Sequence, residues 1–116
     1  MSHPTDSEPI EIILGKARQI IREEVERAGF QVRRALLFGS RARRECRPDS
    51  DWDFYVIIAP AAPRKTRWEI ADRICDRLAE EQIWADVFVQ SEETAIQRAG
   101  DTGSLTYYVL KEGIEL

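Results

Sequence analysis

The stretch that most constrains this chain is Phe54-Tyr55-Val56-Ile57-Ile58, five apolar residues in a row directly after Asp51 and Asp53. Side chains on a strand alternate between faces, so an unbroken apolar run reads as a strand buried on both sides. Asp51 and Asp53 then share one face at its mouth, and Trp52 and Phe54 share the other. Two carboxylates about 7 Å apart along a strand suit a hard cation far better than a core. The stretch from Trp52 to Ile58 is thus expected to be an interior strand with an acidic mouth at one end, rather than the exposed edge of a hairpin.

The rest of the chain supplies partners for such a strand. Ile10, Ile13, Leu14, Ala17, Ile20, Ile21, Val25 and Ala28 recur at three- and four-residue intervals, which predicts a long amphipathic helix stopped by Gly29. Ala35-Leu36-Leu37-Phe38 reads as a short buried strand broken by Gly39-Ser40. The polar segment Arg41 to Ser50 links it to the next strand, with one helical turn and a turn at Pro48-Asp49. Thr66 and Glu69 have capping-box spacing ahead of a helix that buries Ala71, Ile74, Cys75 and Leu78 and ends near Gln82. Ile83 to Val89 reads as a third strand, Ser91 as the cap of a short helix, and Ser104 as the cap of a last helix, Leu105 to Glu112. Residues 1–8 are polar and expected to fray, which leaves 9–116 as a single domain. Trp68, Trp84, Tyr107 and Tyr108 are placed for core or interface packing as readily as for base stacking.

A chain of 116 residues is enough for one core and too short for two. Cys46 and Cys75 do not make a disulfide framework, and neither a membrane span nor a secretory signal is visible, so a cytoplasmic setting is expected. The net charge of −4 argues against binding extended nucleic acid. That average hides a reversal, because Arg33, Arg34, Arg41, Arg43, Arg44 and Arg47 run directly into Asp49, Asp51 and Asp53. On charge alone a solvated loop accounts for the pattern; a phosphate site beside a metal site needs the same arrangement.

Asp86 stands among the apolar residues of the third strand, where a carboxylate is costly without a partner, and a cation shared with Asp51 and Asp53 would be one. Asp49, Asp51 and Asp53 match the opening spacing of an EF-hand loop, but Phe54 and Pro60 stand where that loop needs Gly and Glu. No Walker loop follows Gly39, and one His with two separated Cys is too few for zinc.

Gly39-Ser40, a spacer, Asp51-x-Asp53 and a lone Asp86 on a later strand together resemble the polymerase β-like nucleotidyltransferase superfamily. In particular the chain resembles a minimal nucleotidyltransferase (MNT) domain from Ala35 through Asp86, and its ending Leu110 to Leu116 resembles the close of MNT antitoxin-type proteins. The resemblance implies attack by a hydroxyl on the α-phosphate of ATP, with pyrophosphate leaving. Asp51, Asp53 and Asp86 would be catalytic and would hold two Mg2+ ions, with Asp86 helping to activate the hydroxyl. Gly39, Ser40, Arg43 and Arg44 would bind the nucleotide: Gly39 by letting backbone approach phosphate, Ser40 by a hydrogen bond, and the arginines, with Arg41 behind them, as phosphate clamps. Many relatives carry Gly at the place of Arg44 and a small aliphatic at that of Trp52, so the clamp geometry is individual here and Trp52 is expected to pack.

The fold expected is α+β, a nucleotidyltransferase-type mixed sheet with helices packed mainly on one face and the acidic triad on the other or at its open edge. Relatives of the polymerase and antibiotic-modifying kind continue into a second domain, so a partner protein or a homo-oligomer is expected to bring the acceptor. The function implied is that of an antitoxin that transfers AMP to a hydroxyl, a tyrosine first, of a HEPN-type toxin. The rivals are a non-catalytic nucleotide- or metal-binding antitoxin that masks its partner sterically and, behind it, a small-molecule nucleotidyltransferase of the aminoglycoside type.

Overall fold

The computed structural model describes residues 9–43 and 51–116. Residues 1–8, expected to fray, Arg44, Arg47, Cys46 and the turn expected at Pro48-Asp49 lie outside the described residues. The elements run α1 (Ile10–Arg27), β1 (Gln31–Phe38), α2 (Ser40–Arg43), β2 (Trp52–Ala59), α3 (Arg64–Glu80), β3 (Ala85–Ser91), α4 (Glu92–Arg98), α5 (Leu105–Glu112) and β4 (Ile114–Glu115). They build a four-stranded sheet of order β3-β2-β1-β4, mixed as expected from the sequence. β1 is antiparallel to β2 and β4, and β3 is parallel to β2. A parallel pair needs a crossover, and α3 provides it.

The apolar run that starts at Phe54 makes β2 an interior strand, and its two faces meet different helices. Trp52, Phe54, Val56 and Ile58 join Ile13, Ala17, Ile21 and Val25 of α1 and Ile70, Ile74 and Leu78 of α3 in the larger core. Tyr55 and Ile57 turn the other way and meet Leu36, Phe38, Ala95 of α4 and Val109 of α5 in a smaller one. The two long helices therefore share one face, and two short ones cover part of the opposite face. Gly29 ends the α1 region with φ +94, a conformation that costs a residue without Cβ little.

Several element ends differ from the expectation, each for a physical reason. β1 begins at Gln31 rather than Ala35; Gln31, Arg33 and Arg34 are exposed and β4 pairs only with Leu36 and Leu37, so the first half of β1 is an outer edge without apolar alternation. The Thr66–Glu69 capping box does not form. Pro63 is the N-cap, its extended backbone leading straight into the helix at Arg64, so Thr66 already lies inside α3. β3 starts at Ala85, and the buried Ile83 belongs to the turn before it. Ser91 precedes α4 but its hydroxyl accepts the Ala62 amide at 3.0 Å instead of capping the helix. Ser104 does cap α5, accepting the Tyr107 amide at 3.1 Å. β4 was not expected; two residues reach strand geometry because β1 offers an edge, and the Leu116 amide prolongs the contact to the Ala35 carbonyl at 2.9 Å.

Candidate active site

The site lies where β1 ends and β2 and β3 begin. Phe38, the last residue of β1, is opposite Asp53, and Asp53 is in register with Asp86 across the parallel pair. Neighbouring strands are about 4.8 Å apart, so the two carboxylates stand side by side. They lie on the face away from α1 and α3, because Trp52 and Phe54 occupy that core. Asp51 precedes β2 and is exposed at its mouth, as is Asp86, whereas Asp53 is half-buried.

Burial pushes the Asp53 carboxyl above its ordinary range, and the charges of Asp86 and Asp51 push it further, while Arg43 pulls the other way. Asp86 and Asp51 are thus both close enough to act electrostatically on Asp53. Among the described residues, no three acidic, His or Cys side chains are gathered closely enough to form a metal cage. The donor set nevertheless fits a hard divalent cation: all three groups are carboxylates, and a cation would relieve the crowding at Asp53.

The turn after β1 is shaped around Asp53. Gly39 has φ +78, and a Cβ on it would sit 2.3 Å from the Asp53 carboxylate Oδ2. Only a residue without a side chain allows that approach. α2 starts immediately afterwards at Ser40 and is closed by the Arg43 amide donating to the Gly39 carbonyl at 3.2 Å. Successive residues of this turn diverge: the Arg41 guanidinium lies 4.5 Å over the Trp52 ring, on the side of the large core, whereas Arg43 donates to the Tyr108 hydroxyl and acts on Asp53. The structure therefore brings Gly39, Ser40, Arg43, Asp51, Asp53 and Asp86 to one end of the sheet and turns Arg41 toward Trp52. Trp52 is buried and packs, as expected. Cys75 is half-buried, and burial pushes its thiol up, which suits a packing residue.

Two contributors carried no sequence signal. Tyr108 reaches Arg43 from α5, yet the neighbouring pair Tyr107-Tyr108 gives no sign of which ring turns inward. Behind the acids, Phe38, Tyr55 and Phe88 form an aromatic floor, with Phe38 5.8 Å from Phe88 and 6.4 Å from Tyr55 between ring centroids. That cluster exists only because three separate strands are in register.

Known proteins agree with this geometry. Residues 18–116 match the family described as Polymerase beta, Nucleotidyltransferase. No curated protein matches the sequence significantly. Among solved structures, a toxin-antitoxin with AMP-PNP is similar at TM-score 0.56 and 19% identity, covering 87% of this chain and 69% of that one. A mutant of the toxin-antitoxin MntA-HpeT is similar at TM-score 0.55 and 21% identity, covering 89% and 69%. A tri-AMPylated Shewanella oneidensis HEPN toxin in complex with MNT antitoxin is similar at TM-score 0.53 and 18% identity, covering 90% and 69%. At these identities the likeness to the solved structures is one of fold, whereas the sequence match extends over most of the chain. A glycine turn fitted against a strand carboxylate, a second carboxylate in register beside it and a family match across 18–116 lead to one statement: this chain belongs to the polymerase β nucleotidyltransferase family.

Proposed function

We propose that this protein transfers AMP from ATP to a hydroxyl of a partner protein, and that the partner is a HEPN-type toxin silenced by the modification. The observation that carries the reading is the fit of Gly39 against Asp53, which opens backbone, rather than side chain, beside the acidic pair. A triphosphate approaching that turn meets the Ser40 hydroxyl and the Arg43 guanidinium, with Arg44 next in sequence as a further clamp. Asp51, Asp53 and Asp86 would hold Mg2+, two ions when fully loaded, which supplies charge neutralisation at the entering and leaving oxygens. Asp86 lies on the outer strand and is exposed, so an incoming hydroxyl can donate its hydrogen bond there and leave its proton there. The acceptor oxygen then bonds to the α-phosphorus, the bond to the β-phosphate oxygen breaks, and pyrophosphate departs. The similar structures support the choice of substrate and acceptor, since one holds AMP-PNP and another contains an AMPylated HEPN toxin.

The test is label transfer in a lysate of the source cells, with Mg2+ and ATP labelled at the α-phosphate, beside a γ-label control and Asp53→Asn. The α-label alone should appear on a protein band, and the variant should lose it. A second reading, steric masking without transfer, draws on the fact that among the described residues no three acidic, His or Cys side chains form a closed metal cage. Its signature is a complex that forms and silences the partner while neither label is transferred.

A further inference from the structure

The outer edge of β3 has features of a docking site that the catalytic groups do not explain. β3 is the last strand on its side of the sheet, and among the described residues no strand pairs with its outer edge. The Trp52 amide donates to the Trp84 carbonyl at 2.9 Å, so Trp84 faces β2 and, by alternation, Ala85, Val87, Val89 and Ser91 turn their backbone groups outward. The ends of that row are occupied: the Cys75 thiol donates to the Ala85 carbonyl at 3.5 Å, and the Ser91 amide donates to the Gln90 side chain at 2.9 Å. Between them, the Val87 carbonyl and both backbone groups of Val89 meet no partner among the described residues.

A cavity of about 220 Å³ opens at this window. Val87, Phe88, Val89 and Gln90 all line it, and four consecutive strand residues can do so only if the cavity follows the strand's edge. Its walls include Arg67 and Trp68 from α3 on one side and Arg98 at the end of α4 on the other, with no acidic residue. Trp68 is 60% exposed and Phe88 44%. Natural sheets blunt open edges with Lys, Pro, bulges or inward charges; Ala-Asp-Val-Phe-Val-Gln-Ser has only Asp86. An open edge, walls that mix aromatic and aliphatic with polar groups, and two cations describe a trough for one extended, acidic strand; Arg67 donates to the Ala62 carbonyl at 2.7 Å, and neither arginine pairs with a carboxylate among the described residues.

We propose that the outer edge of β3 receives an extended, acidic segment of the acceptor protein, paired through Val87 and Val89 and held by Arg67 and Arg98. Strand addition of this kind takes affinity from backbone hydrogen bonds and selectivity from alternate side chains. The trough is continuous with the acids, because Asp86 precedes Phe88 by two residues on the same face of the same strand. A segment seated there carries its hydroxyl residue beside Asp86 and, two residues along, a side chain beside Phe88, about 7 Å away. The role of that hydroxyl rests on the proposed AMP transfer; the docking itself does not.

The experiment uses the full chain and capped, tyrosine-centred decapeptides with glutamate, alanine or lysine flanks, without ATP, and follows amide hydrogen exchange residue by residue. The glutamate-flanked peptide should slow exchange at Val89 at least tenfold and bind at least tenfold more tightly than the lysine-flanked one. Arg98→Glu should reverse that order. Val89→Pro removes an outward amide from an edge strand, where proline is tolerated, and should weaken binding at least tenfold; the packing of Val89 on the large core is lost as well and is read separately in the thermal transition. Should Val89→Pro unfold, the reversal by Arg98→Glu decides. Absence of peptide binding, protection away from β3, or indifference to flanking charge would overturn the docking proposal. Peptide bound at β3 with no protein ever labelled would instead overturn the transfer reading alone, and labelled protein with no peptide at β3 would overturn the docking alone.

Discussion

The two faces of the sheet are built to opposite rules. On the face of α1 and α3, packing is dense and the one buried charge among the described residues, Glu24, is answered: Arg27 and Arg77 donate to it at 3.1 and 3.0 Å. On the other face the core is smaller, and the half-buried Asp53 stands against Asp86 and Asp51. A fold that pairs a carboxylate on one side and crowds three on the other is spending stability on the second for a reason other than folding. The comparison separates scaffold from site: the helix face holds the strands in register, and the opposite face uses that register to bring acids together.

Three changes probe this contrast, from the largest expected effect to the smallest. Gly39→Ala places a methyl against the Asp53 carboxylate in a left-handed backbone, so AMP transfer should fall on the order of 100-fold, read as kcat/KM for labelled ATP. Its stability should drop by about 1–2 kcal/mol in urea melts. An effect on stability without one on transfer would detach the glycine from the chemistry. Arg77→Ala leaves Glu24 buried with only Arg27; since Arg77 itself reaches solvent, the cost should be about 2 kcal/mol, with transfer unchanged. Tyr55→Phe leaves the buried Thr106 hydroxyl without its partner, at a cost of about 1 kcal/mol near neutral pH. Burial holds the Tyr55 phenol above its ordinary value, so the folded chain keeps that proton more tightly than the unfolded one. This contribution is complete below about pH 10 and is lost as pH rises through the folded pKa. Alkaline melts of Tyr55→Phe should accordingly be flatter than those of the parent.

The scaffold was largely legible because it is written in long-period patterns. The three- and four-residue spacing from Ile10 to Ala28 became α1, and the apolar run after Asp53 became an interior strand whose two faces meet two different cores. Illegible parts were those whose structure is lent by neighbours. Gln31 to Arg34 extend β1 along an exposed edge with no apolar alternation, and Ile114–Glu115 form a strand only because β1 offers hydrogen bonds. The Thr66–Glu69 spacing misled because Pro63 had already started the helix. At the site, Gly39, Ser40, Asp51, Asp53 and Asp86 stood out as residue types out of place. The pairing of Arg43 with Tyr108 and the split between Arg41 and Arg43 follow from a single turn of α2, whose direction the sequence does not encode locally.

If the crowding of carboxylates exists to hold a cation, the direct measurement is thermal unfolding of the parent chain and Asp53→Asn, each with and without Mg2+. Without metal, removing the crowded charge should raise the transition temperature of Asp53→Asn above that of the parent. With Mg2+, the parent should rise by several degrees and the variant should not respond. Equal shifts in both proteins, or a parent indifferent to Mg2+ alone and with ATP, would contradict a cation site at Asp53 and with it the transfer centre built around it.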